Sequence, residues 1–166
     1  MRRLAVLAAA LVALASAATA DAKLTPVEQK WAKPVVTVWN QQNLALHVVI
    51  QAATASNALV YGTANNKKLT VILNTFVVCG PAIEKAGAPP SPRLQTFATS
   101  LGSACTHDTA GAHAFAQAIG AVSKNKAAQS QTLLAKGVAE FKLGTAALSK
   151  AYRSLIAVGG KNIFAA

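Results

Sequence analysis

The stretch CGPAIEKAGAPPSPRLQTFATSLGSAC, residues 79–105, holds the only two cysteines of the 166-residue chain, one at each end. Its middle, residues 88–92, combines prolines that end one helix with a Ser-Pro pair that begins another. Cys79 lies 13 residues before Pro92, and Cys105 lies 13 residues after it. In a helical hairpin that turns near residues 88–92, positions equally distant from the turn lie side by side. The stretch therefore predicts two antiparallel helices joined by a Cys79–Cys105 disulfide.

Elsewhere in the chain, apolar residues recur every three or four positions, which is the helical period, and no alternating strand pattern is present. Four helical segments are predicted, at about residues 25–61, 67–86, 92–123 and 127–158. Thr25-Pro26-Val27-Glu28 has the form of a capping box at the start of the first segment. The sequence thus predicts an all-α protein, an antiparallel four-helix bundle whose disulfide links the second helix to the third.

Prolines and glycines predict kinks or splits in these helices. Pro34 is expected to kink or restart the first helix, and Gly80-Pro81 to bend the second just after Cys79. The third is predicted to be one continuous helix with Asp108 on its apolar stripe. The alternative is a break at Thr106-His107-Asp108, with Asp108 as a new N-cap.

Two helices carry apolar residues opposite their main stripe. These residues are Leu44 and Val48 on the first helix and Val71 and Val78 on the second. We expect them to be buried because both helices are central. The alternative is an exposed groove or a dimer contact, so a homodimer stays open.

The N-terminus has the pattern of an export signal. Met1-Arg2-Arg3 is cationic, residues 4–15 are apolar, and Ala18-Thr19-Ala20 is typical of a signal peptidase site. We predict a signal peptide over residues 1–20 and a single helical bundle domain over residues 21–166. No later run of 18 apolar residues is present, so no transmembrane segment is expected after cleavage. Two cysteines in such a chain favour one disulfide and a secreted or extracytoplasmic location, in the periplasm or cell envelope.

Reactive side chains are few and scattered. Residues 21–166 contain five acidic residues, and no two of them have the helical spacing of a carboxylate pair. His107 and His113 are six residues apart and point in different directions, so they do not form a metal site. Ser103, His107 and Asp108 lie on one segment, which argues against a catalytic triad. We predict neither an enzyme nor a metal site.

Positive charge is the strongest functional signal. Residues 21–166 contain 14 basic and 5 acidic side chains, a net charge of +9. In the last helix, four cations lie away from the apolar stripe: Lys136, Lys142, Lys150 and Arg153. Such a surface favours an anionic envelope polymer or an anionic lipid surface as partner. Specific nucleic-acid recognition is not expected, because lysine predominates and aromatic residues are not interleaved with the charges.

The sequence therefore favours a secreted, non-catalytic, cationic binding or structural module without a cofactor. The alternative is a carrier that holds haem or a small apolar ligand between helices. Its candidate ligand residues are His47, Tyr61, His113 and Tyr152.

Overall fold

The computed structural model describes residues 23–54 and 63–164, and every regular element in these ranges is helical. The α-helices are α1 (Pro26–Thr54), α2 (Thr63–Val77), α3 (Cys79–Ala86), α4 (Gln95–Val122) and α5 (Ala127–Ala157), with short 3-10 turns at Pro92–Leu94 and Lys161–Ile163. The predicted all-α class is confirmed. The predicted signal peptide, residues 1–20, and the candidate ligand residue Tyr61 lie outside the described residues.

α1 begins with the predicted capping box. The Thr25 N–H donates to Glu28 Oε2 at 2.7 Å, and the Glu28 N–H donates to Thr25 Oγ1 at 3.3 Å. α1 then continues through Pro34 without a restart. Proline has no N–H, so the Lys30 carbonyl, four residues earlier, loses one helical hydrogen bond.

The second predicted helix is divided into α2 and α3. The prediction of a bend just after Cys79 is wrong in position, because the break falls at Val78, before that cysteine. In a regular helix a proline ring clashes with the carbonyl four residues earlier, here that of Val77, and Pro81 has no N–H to donate to it. The helix is therefore interrupted on the N-terminal side of the proline.

The disulfide is present as predicted. It joins Cys79, the first residue of α3, to Cys105 in α4, with the two Cα atoms 5.4 Å apart. Both half-cystines are buried. A buried disulfide is compatible with an oxidising, extracytoplasmic compartment.

α4 is one continuous helix, so the alternative break at Thr106-His107-Asp108 is wrong. Its buried side is the predicted stripe, which includes Phe97, Leu101 and Phe115. The ring of Phe141 on α5 lies 5.4 Å from that of Phe115 and 5.0 Å from that of Phe76 on α2. These rings join α2, α4 and α5 in the centre of the core.

The buried side of α5 differs from the prediction. The helical period of the sequence places Thr145 and Tyr152 on the apolar stripe of the last predicted helix, but both are exposed, whereas Gly137, Gly144 and Ala151 are buried. The contact line is rotated toward small residues because these allow α4 and α5 to approach closely. A Cβ atom at Gly137 would lie only 2.3 Å from the Phe115 ring.

The expectation that Leu44, Val48, Val71 and Val78 are buried is wrong. Their exposed fractions are 68 %, 37 %, 65 % and 57 %. They line a groove of about 520 Å³ between α1 and α2, which we call the α1–α2 groove. The other described helices do not line this groove, so the second apolar faces of α1 and α2 remain open.

One window of the described residues, Leu69–Ala86, has the length and mean hydropathy, 1.3, of a membrane-spanning helix. In this structure it is divided between α2 and α3 and contains the half-cystine Cys79. Only 22 % of the window is buried. Its exposed apolar residues include Val71 and Val78, which line the α1–α2 groove.

Candidate functional site

The outer side of α5 carries the four cations singled out in the sequence. Lys136, Lys142, Lys150 and Arg153 are all exposed. At 100° per residue they fall within a sector of about 120°, and at 1.5 Å per residue they extend over about 25 Å. Together they form a one-sided stripe, which we call the α5 cationic face.

The charges of the α5 cationic face are not neutralised by neighbouring acids. Among the described residues the ion pairs are Arg93–Glu28 and His107–Glu140. Glu140 lies one turn from Lys136 on α5, but its Oε2 atom lies 2.8 Å from His107 Nδ1. The four cations therefore face solvent without an ion-pair partner in the described parts of the chain.

Glu28 is a buried carboxylate with a structural role. Its Oε1 accepts hydrogen bonds from Arg93 Nε and Ser91 Oγ, each at 2.6 Å, and its Oε2 accepts from Arg93 Nη2 and the Thr25 N–H. The Arg93 guanidinium, helped by Ser91 and Thr25, holds the pKa of Glu28 well below its usual range despite burial. The ionised form thus stabilises the fold at neutral pH, and this contribution is lost as the pH falls below about 4.5. Glu28 fastens the start of α1 to the connection that precedes α4.

Asp108 is the second buried carboxyl group. It is fully buried in α4, and neither carboxyl oxygen has a hydrogen-bond partner among the described residues. Burial raises the pKa of Asp108 to about 8, so this group is mainly protonated and uncharged at pH 7. On α5 it meets Gly144, where an added Cβ would lie 1.9 Å from Asp108 Oδ1. The glycine leaves room for the carboxyl group inside the α4–α5 contact.

These two environments reduce the exposed negative charge. The protonated Asp108 removes one negative charge from the formal balance, whereas the charges of Glu28 and Arg93 cancel each other. Ser103 is exposed, and His107 pairs with Glu140, so neither has Asp108 as a hydrogen-bond partner.

The candidate ligand residues of the carrier alternative lie on three different helices. His47 on α1 and His113 on α4 are exposed. Tyr152 on α5 stacks on Trp39, with ring centroids 5.6 Å apart. None of these three lines the α1–α2 groove or the smaller groove of about 420 Å³ between α3 and α4. Haem binding thus stays a prediction to which this geometry adds no support.

No cluster of three or more histidine, cysteine or acidic side chains suited to a metal ion is found in the part of the chain that the structure describes. The α1–α2 groove offers a different chemistry. Its lining residues are all uncharged and mostly aliphatic, with Gln41, Asn74 and Thr75 as its polar members. It is an apolar surface open to solvent.

Sequence reasoning missed the contact between Asp108 and Gly144. The available signal was the seven-residue spacing of Ser130, Gly137, Gly144 and Ala151, a series of small residues along one side of α5.

Comparison of the chain with protein-family models, curated proteins and solved structures finds no match. The charges and contacts of the described residues are therefore the basis for inferring the function.

Proposed function

We propose that the protein is a secreted, non-catalytic binding module whose α5 cationic face binds a linear anionic polymer of the cell envelope. The observation that carries this proposal is the arrangement of Lys136, Lys142, Lys150 and Arg153. All four are exposed, lie on one side of one helix and have no ion-pair partner among the described residues.

The length of the α5 cationic face favours a polymer over a small anion. A single exposed ion pair contributes about 0–1 kcal/mol and is screened by salt. A phosphodiester or polycarboxylate chain places many charges along about 25 Å and engages the four cations at once. Three of the four are lysines, whose point charges attract a polyanion without the planar geometry that arginine uses for bidentate recognition.

We further propose that the helices form an antiparallel four-helix bundle, with α2 and α3 together as the second helix. The direction of α4 against α5 is supported by two contacts. A Cβ at Gly111 would touch the Phe141 ring, and one at Gly137 would touch the Phe115 ring. The partner number on α5 falls as the residue number on α4 rises, as in an antiparallel pair.

Three hydrogen bonds between helices support the remaining pairings. Gln42 Nε2 on α1 donates to the Thr75 carbonyl on α2 at 2.8 Å. Thr109 Oγ1 on α4 donates to the Phe76 carbonyl on α2 at 2.9 Å. Trp39 Nε1 on α1 donates to the carbonyl of Leu148 on α5 at 3.1 Å. In this arrangement the α5 cationic face lies on the outside of the bundle.

The binding proposal is tested with two variants of equal net charge. The first replaces the α5 cationic face: Lys136→Gln, Lys142→Gln, Lys150→Gln and Arg153→Gln. The control replaces four exposed cations outside α5: Lys23→Gln, Lys30→Gln, Lys33→Gln and Lys85→Gln. The probe is a poly(glycerol phosphate) of defined length, and its affinity is measured by calorimetry over a series of NaCl concentrations.

We expect the α5 variant to lose at least about tenfold in affinity, which corresponds to 1.4 kcal/mol. The control should lose much less, because only the average attraction changes. Equal losses in both variants would mean that net charge, not the α5 cationic face, governs binding. Affinity that does not fall with added salt would contradict the electrostatic proposal altogether.

Export is tested separately. We expect the protein recovered from the medium or the envelope to begin at Asp21, as N-terminal sequencing can determine. Recovery only from the cytoplasm, or with residues 1–20 retained, would contradict secretion. It would also contradict a polymer of the cell envelope as the partner of the α5 cationic face.

A further inference from the structure

The ion pair between α4 and α5 lies at the edge of the α5 cationic face. His107 Nδ1 on α4 and Glu140 Oε2 on α5 are 2.8 Å apart, and the two side chains are 33 % and 25 % exposed. Glu140 is the one acidic residue of α5. It lies four residues after Lys136, a spacing that brings two Cβ atoms on a helix within about 5–6 Å. A negative charge at Glu140 is therefore close to the cations of this face.

The charge of this pair depends on one proton. Histidine is the side chain that ordinarily gains or loses its charge between about pH 5 and pH 8. When His107 is protonated, its ring donates a hydrogen bond to the Glu140 carboxylate, and the two charges cancel. When His107 is neutral, the pair keeps one negative charge. That charge repels an anionic polymer that binds to the neighbouring cations.

The groups nearest to this pair along α4 and α5 do not compete with it. Asp108 follows His107 in α4, but its carboxyl group is buried against Gly144 of α5 and has no hydrogen-bond partner among the described residues. On α5, Lys136 is exposed and forms no ion pair with Glu140 in this structure. The carboxylate of Glu140 is thus held by the histidine ring alone.

The other elements packed against α4 supply no further partner for the ring. On α3, Glu84 and Lys85 are exposed, and Glu84 lines the groove of about 420 Å³ between α3 and α4, which the histidine does not line. Residues 69–77 of α2 contain no titratable side chain. Arg93, in the turn before α4, is paired with Glu28.

We propose that the His107–Glu140 pair makes polyanion binding by the α5 cationic face pH-dependent, so that affinity rises as His107 takes up a proton and falls as it releases that proton. The inference rests on the proposed function and adds its regulation. Its sign follows from charge, because protonation cancels the one acidic charge on α5. Lysine and arginine ordinarily titrate above about pH 10, so the cations of the face keep their charge while histidine titrates.

The test compares three substitutions in the full mature chain. His107→Gln fixes the pair at one negative charge, and Glu140→Gln removes that charge. His113→Gln is the matched control, because it also removes a histidine from α4. His113 is exposed and lies two residues after Gly111, which faces Phe141 of α5, so it is on the far side of α4 from the cationic face.

The probe is poly(glycerol phosphate), and calorimetry measures its affinity at pH 5.5 and pH 7.5. The upper value stays below about 8, the pKa to which burial raises Asp108. The ionic strength is about 0.01 M, where charges interact over about 30 Å. Circular dichroism checks that each variant is folded at both pH values.

We expect the unaltered chain to bind about threefold more tightly at pH 5.5 than at pH 7.5, within the range of a single exposed ion pair. His113→Gln should keep most of this rise, whereas His107→Gln should lose most of it. Glu140→Gln at pH 7.5 should bind about as tightly as the unaltered chain at pH 5.5, because the pair is uncharged in both cases.

Linkage gives a second measurement. If protonation of His107 raises the affinity, the bound polymer must favour the protonated ring by the same factor. Binding at pH 6.5 should therefore take up protons, as calorimetry in two buffers of different ionisation enthalpy can determine. His107→Gln should reduce this uptake, and an uptake that it leaves unchanged would contradict the inference.

The outcomes separate this inference from the proposed function. An equal rise in affinity in the His107→Gln and His113→Gln variants would overturn the inference, because net charge alone would then explain the pH dependence. Equal affinity of the unaltered chain at both pH values would also overturn it. Both results leave the proposed function standing if replacing the cations of α5 still weakens binding more than the control outside α5. No binding at either pH would overturn both proposals.

Discussion

The contact between α4 and α5 is closed, the groove between α1 and α2 is open, and the two are built from different residues. Between α4 and α5, glycines at 111, 137 and 144 lack side chains where the partner helix brings Phe141, Phe115 and Asp108. Between α1 and α2, both helices carry aliphatic side chains along the groove, and these remain largely exposed. Close packing of α4 against α5 thus depends on glycines that lie opposite larger side chains.

The comparison separates stability from binding. The α4–α5 contact is completed within the chain, because its recesses are filled by its own side chains. The α1–α2 groove is not completed by any described residue, and its apolar surface is available to a partner. We expect substitutions in the first region to alter the free energy of unfolding and substitutions in the second to leave it nearly unchanged.

The largest expected effect concerns the carboxyl group of Asp108. Its folded-state pKa, about 8, lies far above the unfolded value near 3.8. The folded state therefore binds a proton that the unfolded state releases, and the free energy of unfolding falls as the pH rises from about 4 to 8. At about 1.4 kcal/mol for each pKa unit, the loss is on the order of 4 kcal/mol by pH 7.

Asp108→Asn removes this titration and retains the side-chain volume. We expect the stability difference between the variant and the unaltered chain to shift in favour of the variant by several kcal/mol between pH 4 and pH 7. Urea unfolding across that range measures it. If the free energies of unfolding of the two proteins changed with pH in parallel, Asp108 would be solvated. The α4–α5 contact would then not be closed, unlike the account given for it and for the open groove.

The next effect concerns the space that a glycine leaves. Gly144→Ala would place a Cβ 1.9 Å from Asp108 Oδ1, so the Asp108 side chain or one of the two helices must shift. We expect a loss of about 1–3 kcal/mol, as for other overpacked cores. Gly120→Ala on α4 is the control, because a Cβ there meets nothing within 4 Å.

Gly120→Ala should raise the free energy of unfolding by up to about 1 kcal/mol through helix propensity alone. Denaturant midpoints distinguish the two substitutions. If Gly144→Ala were stabilising as well, the α4–α5 contact would have room for an added methyl group. Close packing would then not distinguish this contact from the groove. The double variant with Asp108→Ala should recover part of the loss, since that change removes the carboxyl group from the clash.

The smallest effect is expected in the groove. Leu44→Gln replaces a side chain that is 68 % exposed, so the free energy of unfolding of the monomer should change by less than about 0.5 kcal/mol. The measurement is made by chemical denaturation. A loss comparable to that from Gly144→Ala would mean that Leu44 belongs to the core.

Several features of the fold could be predicted because they depend on local chemistry. The capping box at Thr25 and Glu28 follows from residue types at fixed spacing. The disulfide follows from the equal distances of Cys79 and Cys105 from the turn. The position of Asp108 on the stripe of α4 follows from periodicity, although its lack of a hydrogen-bond partner does not.

What could not be predicted depends on how helices meet. Periodicity assigned Tyr152 to the buried side of α5 because it weighs apolar size, whereas the close α4–α5 contact selects small residues such as Gly144. Periodicity also identified the second apolar faces at Leu44 and Val71. The sequence of one helix does not show, however, whether another helix covers such a face. The α5 cationic face was nevertheless predicted, because its residues lie far enough from the contact line to remain exposed after this rotation.

Hydrogen exchange tests most directly whether the α4–α5 contact is closed while the α1–α2 groove is open to solvent. We predict that amides in residues 104–118 and 137–151 exchange slowly. Amides in residues 69–77 should exchange faster, because one side of α2 lines the open groove. Equal protection in both regions would contradict this account.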